Sequence, residues 1–183
     1  MKKVLALALS LSLILAIGVA GTLAWLTSTT TPITNTFTIG NLAAELYETD
    51  SNDNKITKGL EFTNVAPGAS LDKDPTINLT TGSGWVFIGV SNPNGTNITF
   101  TPGTGWTKVG TYTQATINYD VYGYGTVVNK DAPQTLFNTV TVANTVANNA
   151  TINPITVIGF AVQTETGTTA QAAWSASFGA PTP

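Results

Sequence analysis

Apolar residues recur at every second position along most of this chain. Thr36–Ile39 (TFTI) alternates polar with apolar, and Leu42, Ala44 and Leu46 carry on a single face. Period two in a Thr-rich setting predicts strand rather than helix, with Gly40-Asn41 as a bulge or kink between the two halves. Asp50–Asn54 (DSNDN) reads as a loop, because such side chains turn back on their own backbone. Pro67-Gly68 signals a turn, and Pro75 disfavours helix at Asp74. Gly84–Ser91 (GWVFIGVS) is an apolar run of strand length that fits a strand buried on both faces. After the turn Asn92–Gly95 come a short strand at Asn97–Phe100, a second turn at Thr101–Gly105 and a strand from Trp106. Thr116–Tyr124 alternates Ile117, Tyr119 and Val121 with Asn118, Asp120 and Tyr122, the mark of a half-buried strand. Gln134–Ala143 and Ile155–Gln163 read as two more strands. Helix is predicted only at Thr168–Ser175 (TTAQAAWS), where alanines gather.

About nine short strand-like runs divided by Gly, Pro and Asn turns, without βαβ alternation, predict an antiparallel all-β sandwich. The start of the chain is different. Lys2 and Lys3 precede the apolar run Val4–Ala20, and small residues follow at Thr22 and Ala24. That is the form of a signal peptide over residues 1–24, cleaved after Ala24, with Gly21 or Trp25 as alternative sites. A retained membrane anchor is the competing reading; no basic stop-transfer cluster follows the run. Residues 25–39 then form a polar, extended arm, residues 40–178 the β domain, and residues 179–183 a flexible tail. The tail has neither an LPxTG-like sorting signal nor an apolar anchor, so no covalent tie to a cell wall is expected.

Composition narrows the chemistry. Hydrophobic residues make up 42% of the 183, enough for a core, whereas charged residues are only 9%, against about 25% in an ordinary soluble domain. The chain has no His and no Cys, and all seven of its basic residues are lysines. Without His or Cys, the usual zinc sites, Cys or Ser–His nucleophiles and thiol redox chemistry have no ligands or bases. Without Arg, and with a net charge of −3, a phosphate-neutralising nucleic-acid surface has little to work with. A secreted chain without disulfides must rest on its core or on assembly with other subunits.

Two stretches resemble a known family. Gly21-Thr22-Leu23-Ala24-Trp25-Leu26-Thr27-Ser28, followed by Asn35-Thr36-Phe37-Thr38-Ile39-Gly40-Asn41-Leu42, is similar to the signal junction and first strand of the TasA/camelysin family, whose signal peptides are SipW-type. Ser28 departs from the Asp usual there. Pro67, Gly68, Leu71, Lys73, Asp74, Ile77 and Asn78 follow a second family pattern. Trp106, Tyr119–Tyr124, Leu136-Phe137, Ala161-Val162-Gln163 and Ala173-Trp174 extend the ordered resemblance over nearly the whole chain. The resemblance implies a jelly roll and an extracellular fibre protein, akin to biofilm-matrix fibres and archaeal bundling pilins. It also carries a metallopeptidase label from camelysin-type members. That label has no support here, because there is no His and no HExxH motif.

Several residues are candidates for sites. A sheet edge is a template for a strand of another chain, and an extended arm can supply that strand to the next subunit. Trp25, Leu26, Ile33, Phe37 and Ile39 are the expected assembly residues. Asp50, Asn52, Asn54 and Glu61 fall at the first, third, fifth and twelfth positions of an EF-hand-type calcium loop, but Lys55 stands where such a loop needs Gly. A solvated hairpin loop is the simpler reading. Asp72 and Asp74 around Lys73 suit either an acid/base pair or a charged strand edge. Trp85, Trp106 and Trp174 with Tyr112, Tyr119, Tyr122 and Tyr124 suit core packing or a glycan platform, with Tyr122 and Tyr124 the expected exposed members. Asn78, Asn94, Asn97 and Asn149 stand in Asn-x-Ser/Thr sequons.

The expected function is therefore a secreted structural subunit polymerising head-to-tail into a filament, with a monomeric adhesin or glycan-binding module as the alternative. No cofactor and no nucleic-acid partner are expected. Copies of the chain itself are the expected partner, along with minor filament subunits or cell-surface components. Contact with a membrane is expected only through the leader.

Overall fold

The computed structural model describes residues 36–37, 42–57, 65–147 and 152–179. The leader, Trp25, Leu26, Ile33, Ile39, Glu61 and Asn149 lie outside the described residues. In chain order the strands are β1 (Thr36–Phe37), β2 (Ala43–Thr49), β3 (Lys55–Ile56), β4 (Ser70–Asp72), β5 (Thr76–Thr81), β6 (Ser83–Ser91), β7 (Ile98–Thr99), β8 (Trp106–Gln114), β9 (Ile117–Tyr124), β10 (Val128–Asn129), β11 (Gln134–Thr135), β12 (Thr139–Val142) and β13 (Thr156–Gln163). Among the described residues there is one α-helix, α1, over Ala170–Phe178. The fold is all-β in class and its sheets are antiparallel, apart from one short parallel pair.

The largest sheet has the order β1-β13-β6-β9-β8, with β10 beside the start of β6. It is the middle layer. A four-stranded sheet, β11-β5-β2-β3, covers one face, and a three-stranded sheet, β4-β12-β7, adds Val140, Val142 and Ile98 to the buried set. These sheets meet closely at Gly159 of β13, where an added Cβ would lie 3.3 Å from both Ile77 Cδ1 and Leu46 Cβ. The core on this side is mainly aliphatic, built on Leu46, Ile77, Leu79, Val86, Ile88, Leu136 and Val157.

Helix α1 lies across the other face. Trp174, fully buried, packs over Gly110 of β8, and Ala170 lies against Gly123 of β9. This core is aromatic: Trp174 contacts Phe87 at 5.3 Å and Phe160 at 5.1 Å, and stacks on Phe178 at 4.3 Å. Thr169 caps the helix by accepting a hydrogen bond from the Ala172 N–H at 3.1 Å. Gly179, at φ +94°, ends it by donating its N–H to the Ser175 carbonyl. The alanines that predict a helix at Thr168–Ser175 do form one, shifted toward the C-terminus.

One predicted strand is not continuous. Gln134–Ala143 divides into β11 and β12, which belong to different sheets. Leu136 and Phe137 are adjacent and both buried, which no strand with a solvent face permits. The Leu136 N–H donates instead to the Pro75 carbonyl, and the chain turns inward between the sheets. Thr36–Phe37, within the predicted arm of residues 25–39, pairs with β13 of the same chain.

Candidate functional site

The edge of the large sheet at β13 is the first candidate. β13 (TVIGFAVQ) contains no charged residue, and six of its eight residues are buried. It pairs with β6 along its whole length, from Thr156↔Ser91 to Gln163↔Gly84. On its other side, β1 pairs with it in parallel at Thr36↔Gly159 and Phe37↔Phe160. Among the described residues, β1 is the only strand on this edge. Phe37, an expected assembly residue, thus enters a sheet of its own chain.

A groove of about 800 Å³ lies at the end of the large sheet nearest the Asn92–Gly95 turn. Phe100 and Tyr122 supply its aromatic wall, with ring centroids 5.8 Å apart and edge to face. Asn92, Asn118 and Asp120 supply polar groups. Burial, and then the nearby Asp120 carboxylate, push the Tyr122 hydroxyl above the ordinary tyrosine range. Tyr122 and Tyr124 are half-buried rather than exposed, because the second face of β9 is covered by Phe100 and Trp106. The tryptophans form no platform. Trp85 and Trp106 are buried and donate to the carbonyls of Gly167 and Thr135, and Trp174, a residue of α1, is buried against the large sheet.

The acidic loop is closed by its own side chains. Asp50 Oδ1 accepts from the N–H groups of Asn52 at 2.8 Å and Asn54 at 2.9 Å, and both its carboxylate oxygens accept from Asn54 Nδ2. The Asn54 and Asn52 bonds hold the Asp50 carboxyl below its ordinary range. These are the contacts of a hairpin turn. Among the described residues no group of three acidic side chains is placed to hold a metal ion.

The sequons separate by burial. Asn78 is only 7% exposed and its Nδ2 donates to Glu45 at 3.1 Å, so this predicted glycan acceptor is corrected to a sheet residue. Asn94 uses its amide to pin Asn153, with bonds of 2.8 and 2.7 Å. Asn97 is exposed at the end of a 3₁₀ turn.

Sequence reasoning missed the pairing of Lys73 with Glu48. Between Asp72 and Asp74, Lys73 reads as part of a charged edge, yet its side chain is 6% exposed and that of Glu48 is 5%. The Lys73 ammonium donates to Glu48 Oε1, and among the described residues Oε2 of the same carboxylate has no donor. Next to this pair, the Thr49 N–H and hydroxyl both donate to the Asp74 carboxylate, at 2.8 and 2.5 Å. Two successive residues of β2 are thus clamped to two successive residues after β4. Period two carried the signal, since it sets Glu48 on the face of Leu42 and Leu46.

No protein-family model, no curated protein and no solved structure matches this chain.

Proposed function

We propose that this chain is a secreted structural subunit that polymerises head-to-tail into an extracellular filament, by strand addition at the β13 edge. The observation that carries the reading is that edge: an apolar strand of eight residues, bordered among the described residues by a parallel pairing at Thr36 and Phe37 of the N-terminal segment. A pairing made by an N-terminal segment can be exchanged for the same pairing with a neighbouring copy, a low-cost route to assembly. Continued in the register of Thr36↔Gly159, the neighbour's residues 33–40 would follow the whole strand, with Leu26 and Trp25 reaching past its start. Donor arm and acceptor edge are different surfaces, so the contact does not close and repeats into a fibre. The resemblance to TasA/camelysin fibre proteins and archaeal bundling pilins supports the same reading, with a jelly-roll arrangement of the sheets and export by residues 1–24. Copies of the chain are the partner; minor subunits and cell-surface components attach to the finished fibre.

The test is the protein with residues 25–34 deleted, compared with the undeleted protein by negative-stain microscopy and size-exclusion chromatography. Loss of filaments, with the folded monomer retained, is expected. Filaments of unchanged length and abundance overturn the role of the arm.

The groove at Phe100 and Tyr122 favours a second reading, a glycan-binding module. Two aromatic faces beside amides and a carboxylate suit a sugar ring and its hydroxyls. It predicts glycan-array binding that is lost on Tyr122→Ala and is indifferent to deletion of residues 25–34.

A further inference from the structure

The Lys73–Glu48 pair has no part in the filament reading and sits poorly as an ion pair. Two opposite charges are withdrawn from water, one carboxylate oxygen finds no donor, and the pair lies in a chain without a single arginine or histidine to spread the charge. Each group is held in place from both sides. Glu48 lies on β2 between Tyr47, which is buried, and Thr49, which is tied to Asp74. The Lys73 N–H donates to the Asn138 carbonyl at 3.1 Å, fixing the backbone from which the amine extends. An amine and a carboxyl held in contact with water excluded are reactants already brought together.

From this we infer that Lys73 and Glu48 condense into an amide, an intramolecular cross-link in a protein that has no cysteine for disulfides. The ammonium first passes one proton to the carboxylate, and Oε2, which has no competing donor, is the oxygen free to take it. The neutral Nζ then attacks Cδ of Glu48. The bond from Nζ to Cδ forms and the bond from Cδ to the hydroxyl oxygen breaks. A second amine proton leaves with that hydroxyl as water. The condensation is neither oxidation nor reduction and needs no co-reactant. Burial favours it twice: it replaces two charges by one neutral N–H and one carbonyl, and the released water departs from a site closed to solvent. The cross-link spans a sequence separation of 25 residues and ties β2 of the four-stranded sheet to the end of β4 in the three-stranded sheet. A subunit pulled along a fibre would be held there by a covalent bond.

The test is the intact mass of the purified protein in denaturant, with a peptide map. The expected result is a mass lower than that of the sequence by one water, and a branched peptide joining the Lys73 segment to the Glu48 segment. Glu48→Ala and Lys73→Ala should each lack both the water loss and the branched peptide, and these masses can be read in denaturant whether or not the variants fold. A wild-type mass equal to that of the sequence, with the two peptides recovered separately, overturns the proposal. The result is independent of whether filaments form.

Discussion

The two edges of the large sheet are built on opposite plans. β8 runs for nine residues, and Thr107, Lys108, Thr111 and Thr113 are exposed along it. Its pairing with β9 shifts between Lys108 and Gly110, leaving Val109 bulged, and the Val109 carbonyl is taken by Gln171 of α1 at 2.8 Å. Lys108 itself is paired with Asp120 across the sheet at 2.7 Å. A lysine, a bulge and a side chain over a free carbonyl are the devices by which an edge refuses further strands. β13 has none of them: it is apolar, uncharged, regular along β6, and bordered among the described residues by the parallel pair Thr36–Phe37. An edge can be protected by making it unattractive or by occupying it. β8 uses the first method and β13 the second, and the proposed function requires only the second to be reversible by exchange with a neighbour.

The comparison breaks most severely at β13. Ile158 is fully buried between α1 and the sheet facing it, so Ile158→Ala should cost about 2–5 kcal/mol of unfolding free energy. Thr111→Ala on β8 should stay within about 0.5 kcal/mol. Urea or guanidinium unfolding of both variants tests the pair together. Equal effects would mean that β13 is no more part of the core than β8.

The next largest effect is expected at the guard of β8. Gln171→Ala removes the donor from the Val109 carbonyl and should cost about 0.5–1.5 kcal/mol. It should also expose a backbone acceptor on an otherwise protected edge. With residues 25–34 deleted in both proteins to remove filament formation, sedimentation of the variant at high concentration is expected to show lateral association absent from its parent. A monodisperse variant would mean that the bulge and Lys108 suffice without the helix.

A gain is expected at the tip of the β8–β9 hairpin. Its two turn residues, Ala115 and Thr116, have φ of 47° and 73°. This two-residue turn needs positive φ at both positions, a conformation that suits Asn-Gly and strains a β-branched residue. Ala115→Asn with Thr116→Gly should raise stability by about 1 kcal/mol, seen as a higher midpoint in the same unfolding experiment. The gain would come from the β8 side alone, without a change at β13.

Much of this was legible in the residues. β6, β9 and β13 stand out as apolar or alternating runs bounded by turn residues, and α1 announces itself through its alanines. Pattern reports which face a residue takes, but not which strand lies beside it. The parallel pairing of Thr36–Phe37 with β13 joins segments more than a hundred residues apart, and nothing local specifies it. The break at Leu136-Phe137 was hidden because two apolar neighbours still look like strand. Lys73 was hidden by its neighbours: Asp72 is exposed and Asp74 half-buried, so the triplet resembles a solvated edge, and only the parity of Glu48 with Leu46 betrays an inward charge. The same parity rule gives Tyr122 and Tyr124 to solvent, and it fails where a middle-layer sheet is covered on both faces.

The smallest expected effect concerns pH, and it separates the β13 edge from the rest of the fold. Thr156–Gln163 contains no titratable side chain, so strand addition there should not itself depend on pH. The carboxylates held below their ordinary range lie on and beside β2. Glu45 is held below its ordinary range first by the hydrogen bond from Lys55 and then by that from Asn78, and Asp50 by its turn. A carboxyl whose folded pKa is depressed contributes stability above its unfolded pKa and loses it as pH falls through the folded value. Lys55, raised first by the hydrogen bond to Glu45, has the opposite sign: its contribution is full below the unfolded lysine pKa and is lost as pH rises through the folded value. Both groups are largely exposed, so solvent screening keeps the effect small. Thermal midpoints should therefore decline gently below the ordinary carboxylate range and again in strong alkali, and Glu45→Gln should flatten both limbs. If assembly is followed over the same pH range in protein that stays folded, filament yield should hold constant. A yield that tracks the Glu45 limb would place the assembly contact at β2 rather than at β13.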